Sequence, residues 1–238
     1  MTRIAFIVAA LFAFAVYGGD APLKVCMLSA STEYKSDECC DSFQKYLEQN
    51  FNVVCTRATG VERGTDLKGL ENLDGCDVVL LFTKRMTLPD DQLNKIKKYC
   101  ENGRPIVGVR TASHAFQNWL EFDTQVLGGN YKNHYGKGPA TETIFTDKGK
   151  AHPVLAGVKP FSSPNSLYRN TGHAADVELL MTGTAGDKTE PLTWTREYKG
   201  GRIFYTSLGG PEDFSNEDFK RMIAQALFWA AKRDVQKK

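Results

Sequence analysis

Very little in this sequence points to metal or nucleic-acid chemistry. The chain has 238 residues but only 4 histidines, and it has no HxH, HExxH or CxxC pattern of the kind that holds zinc. It also lacks runs of like charge and basic patches with interleaved aromatic residues, which excludes the common modes of nucleic-acid binding. Internal repeats, low-complexity tracts and an evident domain linker are absent. We therefore expect no metal, no cofactor and no nucleic acid, and a small molecule as the partner.

Long apolar runs are also scarce, and only one of them resembles a targeting segment. Residues 4–16 are entirely apolar, follow Arg3 and precede Gly18. This is the layout of a secretory signal peptide, and the run is too short to span a bilayer comfortably. We expect cleavage after Gly18 (signal peptide 1–18), export to the periplasm or the extracellular space, and no stable membrane insertion afterwards. An uncleaved anchor or a core helix is the alternative. Cleavage would remove Arg3 and no acidic residue, so the counts would change from 30 basic and 28 acidic residues to 29 basic and 28 acidic residues.

The six cysteines would allow 15 full disulfide pairings in an exported chain. Cys26 and Cys55 fall in predicted strands and Cys100 on the apolar face of a predicted helix, so core packing is favoured over bridging for these three. Cys39 and Cys40 are neighbours on another predicted helix, where a disulfide to one of the two stays open. The sequence does not decide the pairing.

Strands and helices alternate through the first half of the chain. The predicted strands are 23–30, 51–58, 77–84 and 106–110. The third is nearly all apolar, as expected for a parallel strand that is covered on both faces. The predicted helices are 35–50 and a second one that opens at Thr87, with Pro89 in its first turn, and stops at Asn102. This alternation implies right-handed crossovers and a doubly wound, mostly parallel sheet.

The pattern changes after Asp123. Glycines interrupt the chain on both sides of the aromatic-rich segment 130–135, which predicts a long ordered loop. Further strands are predicted at 140–146, 178–184, 191–198 and 202–208. Residues 199–201 (Lys-Gly-Gly) predict a hairpin turn between the last two, and Ser215 is the predicted N-cap of the final helix. The second half therefore adds antiparallel strands to the sheet.

Ligands of open α/β sheets bind beyond the carboxyl ends of the strands, so polar residues that follow strands are the candidates for a site. Arg110 occupies the strand-to-helix turn where many α/β enzymes carry a nucleophile, and a guanidinium cannot act as one. We expect it to bind carboxylate or sugar oxygens through its planar fork, or to form an internal ion pair with Glu33 or Glu212. The candidate ligand-binding residues are Tyr34, Arg110, Thr111, Ser113, His114, Tyr131, His134 and Arg196.

The four histidines each have competing interpretations. His114 would face the crevice or cap a helix, and His134 would stack on a sugar ring, close as a lid or simply pin its loop. A structural role is favoured for His152, and the sequence does not place His173. Trp194 is expected in the core, although it could line the pocket.

Several ordered motifs resemble the trehalose-utilisation (ThuA-like) family. They are GVRTASHAFQNW from Gly108, LGGNY, HYG, DKGKAHPVLAGV, the LY at 167–168 and PLTWTREYKGGRIFYTSLGGPEDF from Pro191. They cover nearly the whole chain after the leader, so one domain is expected over residues 23–233. The resemblance implies a flavodoxin-like fold of the class I glutamine amidotransferase-like superfamily, which is a three-layer α/β sandwich.

The resemblance also argues against glutamine hydrolysis. Amidotransferases of this superfamily carry Cys at the strand-to-helix turn and a His before Pro-Glu after a late strand. Matching those motifs places Arg110 at the thiol position and Gly210 at the base position. Both members of the thiol-imidazole pair are thus missing, and that pair generates the thiolate. Many ThuA-like proteins carry His at the turn, so Arg110 departs from that pattern as well.

Three functions follow as hypotheses. The first, favoured by the resemblance, the leader and the aromatic loop, is an exported protein that binds a carbohydrate or sugar derivative at the strand ends. The second is an isomerase or hydrolase of a keto-sugar, with Glu33 or Glu212 as acid or base and Arg110 holding negative charge. The third is a protein-interaction module. Convergence of the candidate residues on one pocket would favour a site.

Overall fold

The computed structural model describes residues 21–238. The predicted signal peptide lies outside the described residues. Within the described range no helix is both long enough and apolar enough to cross a membrane. The strands are β1 Leu23–Ala30, β2 Val53–Thr59, β3 Val78–Thr83, β4 Ile106–Val109, β5 Asn133–His134, β6 Thr141–Phe145, β7 Ser162–Ser163, β8 Tyr168–Arg169, β9 Glu178–Ala185, β10 Lys188–Tyr198 and β11 Gly201–Thr206. The helices are α1 Ser36–Asn50, α2 Asp90–Glu101, α3 Asp147–Ala151, α4 Pro211–Ser215 and α5 Glu217–Ala230.

Nine of the described strands form one sheet in the order β2-β1-β3-β4-β11-β10-β9-β6-β7. The pairs from β2 to β11 are parallel, and those from β11 to β7 are antiparallel. The parallel half has the strand order 2-1-3-4-5 of flavodoxin-like proteins, with β11 as its fifth strand. The expected mostly parallel sheet with antiparallel strands from the second half is confirmed. A separate two-stranded ribbon pairs β5 with β8.

Helices cover both faces of the parallel half, because its strands are apolar on both sides. One core joins α1 and α5 to one face, with Phe43, Phe219 and Leu227 fully buried. The other core joins α2 to the opposite face and contains Trp194 and Tyr205, which are also fully buried. The expected core position of Trp194 is confirmed, and the two cores make the domain a three-layer sandwich.

Two predicted helix starts are wrong, each for a local reason. Helix α2 begins at Asp90 rather than Thr87, and Pro89 precedes it in extended conformation with ψ 160°. A residue before proline avoids the α region, so Leu88 cannot join the helix. Ser215 ends the short helix α4 instead of capping α5.

The N-cap of α5 is Asn216, and the hairpin before it follows prediction. The Asn216 side chain accepts hydrogen bonds from the N–H groups of Asp218 and Phe219, at 2.8 and 3.3 Å. In the hairpin, residues 199 and 200 connect β10 to β11 with φ of +52° and +84°. Two consecutive positive φ angles match the twist of an antiparallel pair.

All six cysteines are free thiols, and five of them are buried. The expected core packing of Cys26 and Cys100 is confirmed, and Cys55 is partly buried against the same core as α1. Burial raises the pKa of Cys40 and of Cys100 to about 12. These two thiols therefore stay protonated at neutral pH.

Candidate functional site

The candidate site lies at the carboxyl ends of β1, β3 and β4. The strand order reverses between β1 and β3, and crevices of doubly wound sheets open at this point. The loop after β1 contributes Tyr34, the loop after β3 contributes Lys84 and Arg85, and the turn after β4 contributes Arg110 and His114.

Backbone strain is concentrated at this edge of the sheet. Lys35, Arg63, Arg85 and Arg110 each follow one of the first four parallel strands, and their φ angles are +48°, +59°, +53° and +49°. Side chains with a Cβ rarely adopt this region, and each such residue costs on the order of 1 kcal/mol or more. Four basic residues in the same strained conformation make this edge both rigid and electropositive.

Arg110 is held in a cage of aromatic rings and oxygen atoms. Its guanidinium lies between the rings of Tyr34 and Tyr168, 4.8 and 4.1 Å from their centroids. Nη1 donates to the carbonyl oxygens of Ser207 (2.6 Å) and Ser166 (3.1 Å), and Nη2 donates to Tyr34 Oη (3.3 Å) and Ser166 Oγ (3.2 Å). Burial by itself lowers the pKa of a guanidinium, but the oxygens of Tyr168 and Tyr34 outweigh it and raise the pKa of Arg110. The group is a fixed positive charge.

The expected ion pair of Arg110 with Glu33 or Glu212 is wrong. Within residues 21–238, Arg110 forms no ion pair. Glu33 pairs instead with Lys84, which also contacts Glu62 at 2.8 Å, and Glu212 is exposed on α4. Arg110 does not reach these carboxylates because it is only 2% exposed and both of its terminal nitrogens already donate hydrogen bonds to neutral oxygens. The three candidates for catalysis therefore do not converge.

His114 and Tyr131 form the opposite side of the crevice. Their rings stack at a centroid distance of 4.4 Å, and His114 Nδ1 lies 3.1 Å from Ser113 Oγ. Burial, together with the charges of Arg85 and Lys84, lowers the pKa of His114 to about 3. The ring is consequently neutral at physiological pH, where it offers one donor and one acceptor.

Asp213 holds the turn that follows β11. Its Oδ2 accepts from the N–H groups of Gly209 (2.7 Å) and Gly210 (2.9 Å) and from Asn165 Nδ2 (3.3 Å). Asn165 packs so tightly on position 210 that any Cβ there would overlap its amide group. The Asn165 amide thus occupies the space beside Gly210.

The aromatic loop is pinned by a buried carboxylate. Glu190 accepts from Tyr135 Oη and Thr171 Oγ1, both at 2.7 Å, and from the Asn170 N–H at 2.9 Å. His134 is exposed in the β5–β8 ribbon, and its Nδ1 accepts from the Gly136 N–H at 2.9 Å. These contacts match the expectation that the loop is pinned.

Arg196 does not belong to the crevice. It pairs with Ile203 at the start of β11, because β10 runs antiparallel and its end lies at the opposite edge of the sheet. Its guanidinium binds Asp176 (2.9 Å) and the carbonyl of Gln125 (3.1 Å). Thr111 is fully buried and also cannot contact a ligand. The structure therefore does not bring these two residues to the surface of the crevice.

Sequence reasoning missed Tyr168, Ser166 and Asp213, which complete the surroundings of Arg110. Tyr168 lies in a strand of two residues, which is too short to show periodicity. No sequence pattern links the segments that carry Tyr168, Ser166 and Asp213 to the turn that carries Arg110.

The structural role expected for His152 is confirmed, since its Nδ1 accepts from the Val154 N–H and its ring packs on Trp229.

Asp123, at the start of a π-helical turn over residues 123–127, is a second buried carboxylate near the crevice. It is 6% exposed, and its Oδ2 accepts from the Tyr131 N–H at 2.8 Å. Its Oδ1 has no hydrogen-bond partner among the described residues. Burial raises the pKa of Asp123 to about 6, against an ordinary value of 3.8.

This raised pKa predicts a pH-dependent cost to stability. The folded state binds the proton more tightly than the unfolded state, so Asp123 contributes stability below pH 3.8 that is lost as the pH rises through about 6. Between about pH 4.5 and pH 8, we expect Asp123→Asn to gain about 2 kcal/mol relative to the unmodified protein. Urea unfolding at both pH values measures the difference, and a difference that does not change with pH would contradict it.

The strand order and the turn at Arg110 first define the class of protein to which the chain belongs. Five parallel strands in flavodoxin order, with Arg110 at positive φ in the turn after β4, define a flavodoxin-like α/β protein. The chain belongs to the ThuA family, described as trehalose utilisation, whose model matches residues 24–230. Among curated protein sequences none matches the chain.

Solved structures with the same fold include two ThuA-like proteins. The one from Parabacteroides merdae ATCC 43184 is 19% identical with a TM-score of 0.69, over 91% of this chain and 92% of that one. The one from Bacteroides uniformis ATCC 8492 is 18% identical with a TM-score of 0.68, over 91% and 95%. A β-galactosidase from Bacillus circulans sp. alkalophilus is 14% identical with a TM-score of 0.61, over 86% of this chain and 30% of that one. At these identities the likeness concerns the fold.

Proposed function

We propose that the protein is an exported binding protein for an acidic sugar derivative, a sugar acid or a sugar phosphate, which it holds in the crevice above Arg110. The observation that carries the proposal is a buried guanidinium that has no carboxylate partner and that orients two hydroxyl groups at the crevice. Arg110 itself is too buried to contact the ligand.

The two hydroxyl groups are those of Tyr34 and Ser166, which are both half-buried. Each accepts a hydrogen bond from Nη2 of Arg110, and therefore its own proton remains free to be donated elsewhere. Bonds that involve a charged donor are stronger than neutral ones, so the orientation is firmly held. A ligand in the crevice thus meets O–H donors that are already oriented, which suits carboxylate or phosphate oxygens.

Net positive charge at the crevice supports an acidic ligand. Lys84 is offset by Glu33 and Glu62, but Arg85 forms no ion pair within residues 21–238. Arg85 is half-buried, and its charge acts on both His114 and Tyr131. It is a partly exposed cation beside the His114–Tyr131 pair, which makes it well suited to contact an anionic group in the crevice.

The carbohydrate part of the proposal is supported by the family and by the rings of the site. The family is named for trehalose utilisation, and one of the proteins with a similar fold is named as a β-galactosidase. Tyr34 and the His114–Tyr131 stack supply apolar ring surface beside the polar donors. Export is proposed from the signal-peptide layout of residues 1–18.

Calorimetric titration with matched ligands tests the proposal. Glucuronate and glucose 6-phosphate are expected to bind at least about tenfold more tightly than glucose, and the preference should fall as salt is added. Arg85→Gln is expected to remove the preference, whereas Lys98→Gln, on the exposed face of α2, should leave it unchanged. Equal binding of acidic and neutral sugars, or none of the acids binding, would refute the proposal.

A further inference from the structure

A cavity beside the crevice is lined by a buried carboxylate, Asp123, that the proposed function does not use. The cavity measures about 240 Å³ and lies between the turn after β4 and residues 119–132. Its apolar walls come from Phe116, Trp119 and Phe122. A space of this size exceeds what one water molecule needs and can admit a small ring.

Asp123 forms part of the cavity wall, and one of its two carboxylate oxygens has no hydrogen-bond partner among the described residues. Of its two carboxylate oxygens, only Oδ2 has a partner, the Tyr131 N–H. The side chain is 94% buried, and a buried carboxylate oxygen without a donor is unfavourable. The carboxylate begins a π-helical turn, a rare feature that is frequently found at functional sites. A ligand that donates a hydrogen bond would supply what the protein does not.

The remaining wall residues decide which donor fits. Asn130 uses its Nδ2 on the carbonyl of Thr171 at 2.9 Å, which leaves its amide oxygen as an acceptor. An ammonium ligand is disfavoured, because Lys132 lines the same cavity and Arg85 acts on Tyr131 from the crevice side. A neutral ligand with hydroxyl groups satisfies the acceptors without adding positive charge.

We propose that this cavity is a subsite for one neutral, hydroxyl-bearing ring of sugar size, in which the Asp123 carboxylate accepts a hydrogen bond from a ring hydroxyl. The aromatic walls contact the C–H surface of the ring. The subsite rests on the proposed function, because it adjoins the crevice through His114 and Tyr131, which line the cavity. It adds a place for the uncharged part of the ligand.

Asp123 is the group around the cavity whose protonation changes near pH 6. Burial raises the pKa of Asp123 against the opposing effects of the Tyr131 N–H and of Lys132, while Tyr131 and Tyr205 have raised pKa values and stay neutral. His114 stays neutral because its pKa is about 3. Binding to the carboxylate should therefore weaken as the pH falls through about 6.

Titration with glucose, galactose, mannose and fructose, followed by calorimetry and NMR, tests the subsite. At least one of these sugars is expected to bind, and Asp123→Asn should weaken that binding about tenfold or more and remove its pH dependence, since a bond to a charged acceptor is lost. The matched control is Asp187→Asn, an exposed carboxylate in the turn between β9 and β10 that pairs with Lys188 and does not line the cavity. His173→Gln controls for the imidazole that packs on Trp194.

The outcomes separate the subsite from the proposed function. If none of the four sugars binds, or if Asp123→Asn binds them as the unmodified protein does, the subsite is refuted. A loss of acid preference in Arg85→Gln with unchanged binding of neutral sugar would support both sites. Sugar binding that depends on Asp123 without any preference for acids would keep the subsite and refute the acidic crevice.

Discussion

Replacing Arg110 by methionine is expected to lower the free energy of unfolding by about 3 kcal/mol. The substitution leaves the carbonyl oxygens of Ser207 and Ser166 without donors in a buried setting, and it removes the cation between Tyr34 and Tyr168. Methionine fills similar space, so the loss reports mainly the hydrogen bonds and the charge. Urea unfolding at neutral pH measures it.

The control for this prediction is Arg85→Met. Arg85 also follows a parallel strand with positive φ, but it has no ion pair within the described residues, so its replacement should change stability by about 0.5 kcal/mol or less. Similar losses in the two variants would show that strain at the strand ends, and not the cage around Arg110, determines stability. In that case the hydroxyl groups of Tyr34 and Ser166 would not be held by the guanidinium.

Asp213→Ala is expected to have an effect of similar size, about 3 kcal/mol. The carboxylate accepts from two consecutive backbone N–H groups and from Asn165, and all three donors would lose their partner. Asp213→Asn keeps an oxygen acceptor and should cost less than half as much. Thermal and urea unfolding of the two variants give the comparison.

The neighbouring Glu212 offers a matched control for Asp213. It has the same charge in the same short helix but is exposed, so Glu212→Ala should change stability by about 0.5 kcal/mol or less. If both alanine variants were equally stable, the turn at Gly209 and Gly210 would not depend on the carboxylate. The stabilising role assigned to the three hydrogen bonds of Asp213 would then fail.

Much of the fold could be predicted from sequence because each strand carries its own signal. The apolar run in β3 marks a strand covered on both faces, and the glycines after Tyr198 mark a two-residue hairpin. The turn at Arg110 was found from the apolar strand that leads into it. Such features depend on residues close together in the chain, where period and turn chemistry are readable.

The site was predicted only in part, because its decisive contacts join distant segments. The sequence placed Tyr34, Arg110 and His114 together at the strand ends, and the structure brings them to one crevice. The sequence did not show that Ser166 would accept hydrogen bonds from the guanidinium, since 56 residues separate Ser166 from Arg110. Arg196 was misplaced for a geometric reason, because the direction of a strand in the sheet decides which edge its end reaches.

The packing of Asn165 against Gly210 makes the segment before β8 part of the support for the turn after β11. A Cβ at position 210 would overlap the Asn165 amide, so that amide would have to move before a larger residue could fit there. Asn165 is itself held by Asp213, and Asp213 holds the turn. A change at Gly210 would therefore displace Asn165 and, through it, disturb the carboxylate that holds the turn, so two segments far apart in the chain depend on one another here.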